Sequence, residues 1–195
     1  MRRWMLASAL TAVLALSACT PEPEPGATPS ASPSATVSAS AAPTAPAISL
    51  PDCDSIYSPA LVAALEAEGR TSEGDVSALG GGGWGTFDVG VEAILSAIPE
   101  AVHCTWILPA SESGSTTSIA MLDDASRTAL VAAFAGGGFV ASTAPGGDLY
   151  SITVEEEFIT YTESHLLTAE VWIASAYAFG DASTLTLDAA AQLLS

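Results

Sequence analysis

The sequence contains two histidines, His103 and His165, and they are the side chains best suited to acid–base catalysis. A serine hydrolase needs a histidine beside an activated serine, together with an acid that orients the imidazole ring. Ser164 directly precedes His165, but adjacent residues of an extended segment point to opposite faces and cannot pair. No G-x-S-x-G nucleophile motif occurs. The sequence therefore favours a protein that is not an enzyme, and a hydrolase that uses His103 or His165 is the alternative.

Lysine is absent from the sequence, and its absence removes several kinds of chemistry. A Walker loop, a Schiff base and a Ser-x-x-Lys acylation site all require it. The glycine-rich stretch 80–85 formally matches G-x-G-x-x-G, but the acid that would bind a ribose is missing. We therefore expect no cofactor. We interpret the stretch as a flexible flap that offers Trp84 as a candidate binding contact.

Acidic residues are the only candidate metal ligands that occur in a run. Glu155, Glu156 and Glu157 are consecutive, and Asp123 and Asp124 form a pair. Calcium takes six to eight oxygen ligands that converge on one point. Three successive glutamates on a hairpin alternate between faces, so we expect a solvated turn and no metal site.

The charge balance excludes one class of partner. The sequence has four basic residues, all arginines, against 22 aspartates and glutamates. If Arg2 and Arg3 are lost with a signal peptide, two arginines face 22 acids, and the formal charge is −20. Such a surface repels phosphate backbones and anionic headgroups. We therefore expect no nucleic-acid binding, whereas cationic partners are favoured.

The N-terminus has the pattern of an export signal. Arg2 and Arg3 precede an apolar run over residues 4–15. A membrane-spanning helix needs about 20 apolar residues, so this run is too short. A short apolar run behind basic residues is typical of a signal peptide, which we assign to residues 1–18.

Residues 16–19, Leu-Ser-Ala-Cys, resemble the lipobox of bacterial lipoproteins. The resemblance implies that a diacylglycerol is attached to Cys19 and that the chain is cut before it. Several acyl chains on one cysteine anchor a protein stably, so we expect the lipid bilayer to be a partner. The expected location is the extracytoplasmic face of the cell membrane. Residues 19–48, rich in Pro, Ser, Ala and Thr, are predicted to be a disordered stalk.

The other two cysteines, Cys53 and Cys104, lie in the predicted globular domain, residues 49–195. Exported proteins fold in an oxidising compartment, where paired cysteines form disulfides. Two cysteines alone also make a poor zinc site. We therefore predict a Cys53–Cys104 disulfide.

Apolar spacing and capping residues predict an α+β fold. Helices are expected after Ser58, Asp88 and Asp123 and over residues 185–194. Alternating or apolar runs predict strands at 104–108, 117–122, 150–154, 158–162 and 166–179, with a brief pairing at 139–140. Residues 70–79 show neither the helical nor the strand spacing of apolar residues. We predict one antiparallel sheet with helices on one face. The alternative is two duplicated β-β-α units, residues 104–136 and 150–194.

The segment Cys104-Thr105-Trp106, followed by Ser-Glu-Ser-Gly at 111–114, resembles small lipoproteins of high-GC Gram-positive bacteria whose domain has no known function. The resemblance implies export and lipidation, and no activity. We expect a monomeric cell-surface lipoprotein that binds an envelope protein or a small ligand. The alternative function is an extracellular hydrolase.

Overall fold

The computed structural model describes residues 48–79 and 84–195. The predicted signal peptide, Cys19 and nearly all of the predicted stalk lie outside these residues, as do the four glycines 80–83. Ile48 was assigned to the stalk, but it is half-buried and packs against the folded domain. Within the described part of the chain, no helix is long and apolar enough to cross a membrane.

In the described part of the chain, seven strands form one sheet in which every neighbouring pair is antiparallel. In chain order they are β1 (Thr71–Asp75), β2 (Ala101–Ile107), β3 (Gly114–Met121), β4 (Val140–Ala144), β5 (Gly147–Glu155), β6 (Thr160–Leu167) and β7 (Val171–Ala178). The order across the sheet is β1-β2-β3-β7-β6-β5-β4. The predicted α+β class and antiparallel sheet are confirmed.

Among residues 48–79 and 84–195, four α-helices flank the sheet: α1 (Pro59–Ala67), α2 (Val89–Leu95), α3 (Asp124–Gly137) and α4 (Ala182–Leu193). Each begins after a side chain that accepts a hydrogen bond from a backbone N–H of the first turn. The predicted caps Ser58, Asp88 and Asp123 are confirmed. Helix α4 begins three residues earlier than predicted, because Asp181 accepts from the N–H of Ser183.

The helices lie on both faces of the sheet, whereas one face was expected. In the first core, α1 and α4 pack on a face that carries Ile119 and Ile173. In the second core, α2 and α3 pack on the opposite face, around Ala120 and Trp172. Successive residues of β7 therefore enter different cores, and all eight residues of that strand are buried.

The two β-β-α units of the alternative interpretation meet at the central β3–β7 pair. Their helices, α3 and α4, lie on opposite faces of the sheet. A two-fold rotation that superimposed the two hairpins would therefore not superimpose the two helices.

The predicted long strand at 166–179 is wrong, because β6 and β7 form a hairpin there. Thr168 closes the turn. Its hydroxyl accepts from the N–H of Val171 at 2.9 Å and donates to the carbonyl of Val171 at 3.0 Å. Trp172 and Ile173 then pair with Leu167 and Leu166 across the hairpin.

Both edge strands extend beyond what the sequence predicts. Strand β1 lies where no period was found, and four of its five residues are exposed. Strand β4 is longer than the brief pairing expected at 139–140, and it too is exposed at four of five positions. An exposed strand has no buried face, so no alternation of apolar residues marks it.

The predicted disulfide is confirmed. Cys53 lies in a single turn of 3₁₀ helix before α1, and Cys104 lies in the middle of β2. Their sulfur atoms are bonded, and their Cα atoms are 5.4 Å apart. The bridge fastens the start of the domain to the sheet next to the first core.

Candidate functional site

Both histidines lie on the same face of the sheet, in one row that crosses four strands. His103 of β2 pairs with Ser118 of β3, Ser118 pairs with Ala174 of β7, and Ala174 pairs with His165 of β6. This is the face that carries the second core. Neighbouring strands are about 4.8 Å apart, so the two imidazoles are separated by three strand spacings and do not act on one atom.

His103 contacts Ser118, its cross-strand neighbour on β3, and not Ser164, the serine considered in the sequence analysis. Its Nδ1 atom lies 2.6 Å from the hydroxyl oxygen of Ser118, which is wholly buried. Burial lowers the pKa of His103, and the charge of Asp75 opposes this shift. The carboxylate of Asp75 accepts from the backbone N–H of His103 at 3.4 Å. Asp75 therefore does not orient the imidazole as the acid of a triad would.

Trp84 covers His103. The two rings meet edge to face, with their centroids 4.0 Å apart, and Trp84 also packs against the second core. The next residue, Gly85, has φ +71°, and a Cβ atom there would lie 2.5 Å from the carbonyl oxygen of Ala174. Only glycine allows the backbone to approach the sheet so closely. We call residues 84–88 the strap. The binding role of Trp84 stays a prediction.

Glu163 holds the strap to the sheet. Its carboxylate accepts from the hydroxyl of Thr86 at 2.7 Å and from the backbone N–H of Phe87 at 2.8 Å. The Nε2 atom of His165 lies 3.2 Å from the same carboxylate. On its other side, Nδ1 of His165 accepts from the indole N–H of Trp172 at 3.2 Å. The Nε2 atom therefore carries the proton and donates to Glu163.

His165 has a structural role, because the side chains packed around it leave no space for a substrate. It is wholly buried, and the rings of Phe134 and Phe139 lie 4.7 and 5.2 Å from its own. Burial lowers the pKa of His165, and this effect exceeds the opposing hydrogen bond and charge of Glu163. The imidazole is therefore neutral at neutral pH. Ser164 points into the opposite face, as the sequence predicts.

Sequence reasoning missed Glu163, which organises this network. A signal was present, because Glu163 and His165 are two residues apart in a predicted β region and share a face. An acid on a strand that also carries an apolar-facing histidine is a candidate partner for it. The contact with Thr86, 77 positions away, could not be read from spacing.

Beyond the strap, the same face of the sheet carries a groove of about 250 Å³. Its floor consists of small residues of the central strands, and its walls come from the strap, the β5–β6 turn and the β2–β3 turn. The lining residues are Thr86, Phe87, Thr105, Glu112, Gly114, Ser115, Thr116, Ile159, Ala176 and Ala178. We call this feature the groove.

Aromatic rings and carboxylates surround the groove. The ring of Phe87 is half exposed and packs against Tyr161 with a centroid distance of 4.3 Å. Phe158, next to the lining residue Ile159, is 84% exposed. Partial burial, followed by the charges of Glu156 and Glu163, raises the pKa of Tyr161. Exposed phenylalanines beside a concave surface are typical of binding sites.

The predicted acidic turn does not gather metal ligands. Within residues 48–79 and 84–195, no group of three or more His, Cys, Asp or Glu side chains is placed to hold a metal ion. Asp123 instead accepts from the backbone N–H of Ser126 at 2.7 Å. This hydrogen bond lowers the pKa of Asp123 and caps α3.

No protein-family model, no curated protein and no solved structure matches this chain. The resemblance to small lipoproteins of high-GC Gram-positive bacteria therefore stays a prediction from the sequence.

Proposed function

We propose that this chain is a lipid-anchored lipoprotein of the cell surface that binds another envelope protein without catalysing a reaction. The observation that carries the proposal is the groove, where the ring of Phe87 faces solvent above a floor of small residues. The N-terminal pattern that ends at Cys19 supports the anchored location.

The chemistry of the groove supports binding. Its lining contains one carboxylate, Glu112, and neither a histidine nor a cysteine. General acid–base catalysis requires a titratable group placed to exchange a proton with the reacting atoms, and most sites use a pair. His165, which is wholly buried, and His103, which is 4% exposed, lie in the row of residues covered by the strap.

The size of the groove favours a protein partner over a free small molecule. Small-molecule sites usually enclose about 300–1,000 Å³ and bury most of the ligand. A groove of about 250 Å³ is smaller and accommodates one side chain of a larger partner. Exposed aromatic residues at its edge, Phe87 and Phe158, are the type that dominates the binding energy of protein interfaces.

Photo-cross-linking in intact cells tests this proposal. We expect benzoylphenylalanine at Ile159, in the groove wall, to give a covalent adduct with one envelope protein. The same group at Glu66, on the exposed side of α1, serves as the control and should give none. Replacing Phe87 with alanine should reduce the adduct about tenfold, because an interface aromatic contributes over 1 kcal/mol. Equal adducts at both positions, or none at Ile159, would contradict the proposal.

The hydrolase alternative is favoured by one observation, the 2.6 Å contact between Ser118 and His103. A hydrolase would contain a reactive serine, which the proposed non-catalytic protein lacks, and the same cells can be tested for it. A fluorophosphonate probe should label Ser118 if this serine is a nucleophile. We expect no labelling, because Ser118 is wholly buried behind Trp84 and His103. A label that is lost in Ser118→Ala would establish the hydrolase and overturn the non-catalytic role.

We expect Cys19→Ser to release the folded protein into the medium. Lipid on Cys19 is the proposed anchor, and residues 4–15 are too short to hold the chain in a membrane as a spanning helix. Thr20→Ser, which leaves Cys19 in place, is the matched control and should stay in the membrane fraction. Fractionation followed by thermal melting of the released protein measures both properties. Folded Cys19→Ser protein on the membrane would reveal a second anchor.

A further inference from the structure

We propose that the groove binds a basic side chain, lysine or arginine, that the envelope partner presents. This inference rests on the proposed function and names the chemistry by which the partner is recognised. Three features carry it: the shape of the floor, the carboxylate at its end and the aromatic wall.

The floor of the groove fits an unbranched aliphatic stem. Gly114, Ala176 and Ala178 have small side chains or none, so they leave a shallow apolar channel on the sheet. The hydroxyl groups of Thr105 and Thr116 form a hydrogen bond with each other in this floor, with their oxygen atoms 3.0 Å apart. Lysine and arginine lay apolar stems along such surfaces while their charged ends remain solvated.

The groove carries negative charge, and neither arginine of the described residues forms a salt bridge with Glu112 or Glu156. Glu112 contributes an exposed carboxylate to the lining, and Glu156 is close enough to Tyr161 to affect its pKa. Arg70 lies over the ring of Tyr177 on the opposite face of the sheet, where its guanidinium donates to Glu68 at 3.0 Å and to the hydroxyl of Ser113, the residue after Glu112, at 2.8 Å. Arg127 lies on α3.

The aromatic wall adds a second attraction for a cation. A guanidinium or ammonium group over an aromatic ring is stabilised by the negative ring face. Phe87 presents a half-exposed ring beside the channel, and the carboxylate of Glu163 fixes the position of its backbone. The wall is therefore preorganised, which reduces the ordering cost of binding. A neutral alkyl group would make the same contacts with the floor, but it would lack the electrostatic attraction to Glu112 and to the face of the Phe87 ring.

Titration of the mature chain with two isosteric probes tests the inference. Butylguanidinium carries the stem and head of arginine, and N-butylurea has the same shape without the charge. We expect butylguanidinium to shift the backbone amide resonances of Thr116, Ala176 and Ala178, with N-butylurea binding at least threefold more weakly. Glu112→Gln should weaken the cationic probe about three- to fivefold, as for an exposed ion pair, and leave N-butylurea unaffected. Glu66→Gln removes the same charge from α1 and should change neither affinity.

The outcomes separate this inference from the proposed function. Equal binding of both probes, no groove shifts with either probe, or an unchanged affinity in Glu112→Gln would overturn the basic-side-chain inference, while the cross-link at Ile159 would still stand. Selective binding of butylguanidinium without any cross-link in cells would support the chemistry of the groove and contradict the envelope-protein role.

Discussion

Replacing Cys53 and Cys104 together with alanine should lower the free energy of unfolding by about 4 kcal/mol, from the chain-entropy relation for the loop that the bridge closes. The two cysteines are 51 positions apart, and the loop between them contains α1, β1, the strap and α2. Without the bridge, the unfolded chain regains the freedom of that whole loop. Urea unfolding of the variant beside the oxidised protein measures the difference.

Two controls show that the loss belongs to the bridge. Cys53→Ala alone and reduction of the native protein should each cost nearly as much as the double variant, since each opens the same loop. Cys19 lies in the predicted stalk and has no role in the predicted bridge, so Cys19→Ala should leave the unfolding free energy unchanged. A loss below about 1 kcal/mol in the double variant would contradict the chain-entropy account of this bridge.

Acidification from pH 7.5 to 5.5 should lower the free energy of unfolding through His165, by up to about 1.4 kcal/mol when the folded ring stays neutral over the whole range. Burial lowers the pKa of His165 in the folded protein, so the ring stays neutral there. In the unfolded chain the ring takes up a proton below its ordinary pKa of about 6.5. The unfolded state then binds more protons than the folded state, and stability falls as the pH decreases until the lowered pKa is reached.

Comparison with His165→Gln isolates this contribution. The variant is less stable at every pH, but it should lack the part of the slope between pH 7.5 and 5.5 that His165 supplies. His103→Gln is the matched control and retains that part, although burial lowers the pKa of His103 as well. The lowered pKa values of Asp75 and Asp123 act only at lower pH. Identical slopes in wild type and His165→Gln would show that the folded protein protonates this ring.

Binding and stability are connected through Glu163. Its carboxylate accepts from the neutral His165 on one side and from the backbone of Phe87 on the other. Phe87 is also a wall of the groove. The buried network therefore supports the exposed binding surface, and this gives a physical reason for a buried histidine in a protein that we propose is not an enzyme.

Much of the local structure was predictable because its causes lie within a few residues. Ser58, Asp88 and Asp123 mark helix starts, since each side chain accepts from the first turn of its own helix. The alternation at 150–154 identifies β5 for a similar reason, because Tyr150, Ile152 and Val154 are half-buried on one face of that strand. The disulfide was predicted from the number of cysteines and from the export pattern of the N-terminus.

Only the tertiary structure showed three features: the two edge strands, the packing of helices on both faces of the sheet, and the groove. Strand β1 forms because β2 offers it hydrogen bonds, and its own side chains carry no sign of that pairing. The β6–β7 hairpin was hidden in an apolar run, because a strand buried on both faces does not alternate.

The amino-acid sequence determined the export pattern, the lipobox-like Cys19 and the strong acidity, since these depend on composition and short spacing. The tertiary structure decided that His103 meets Ser118, that His165 meets Glu163 and that Thr86 and Phe87 of the strap meet the same carboxylate. These contacts join residues brought together by the register of seven strands and by the close approach of Gly85 to the sheet. Long-range register is a property of the whole packed sheet, because each strand is aligned by both of its neighbours and by two cores.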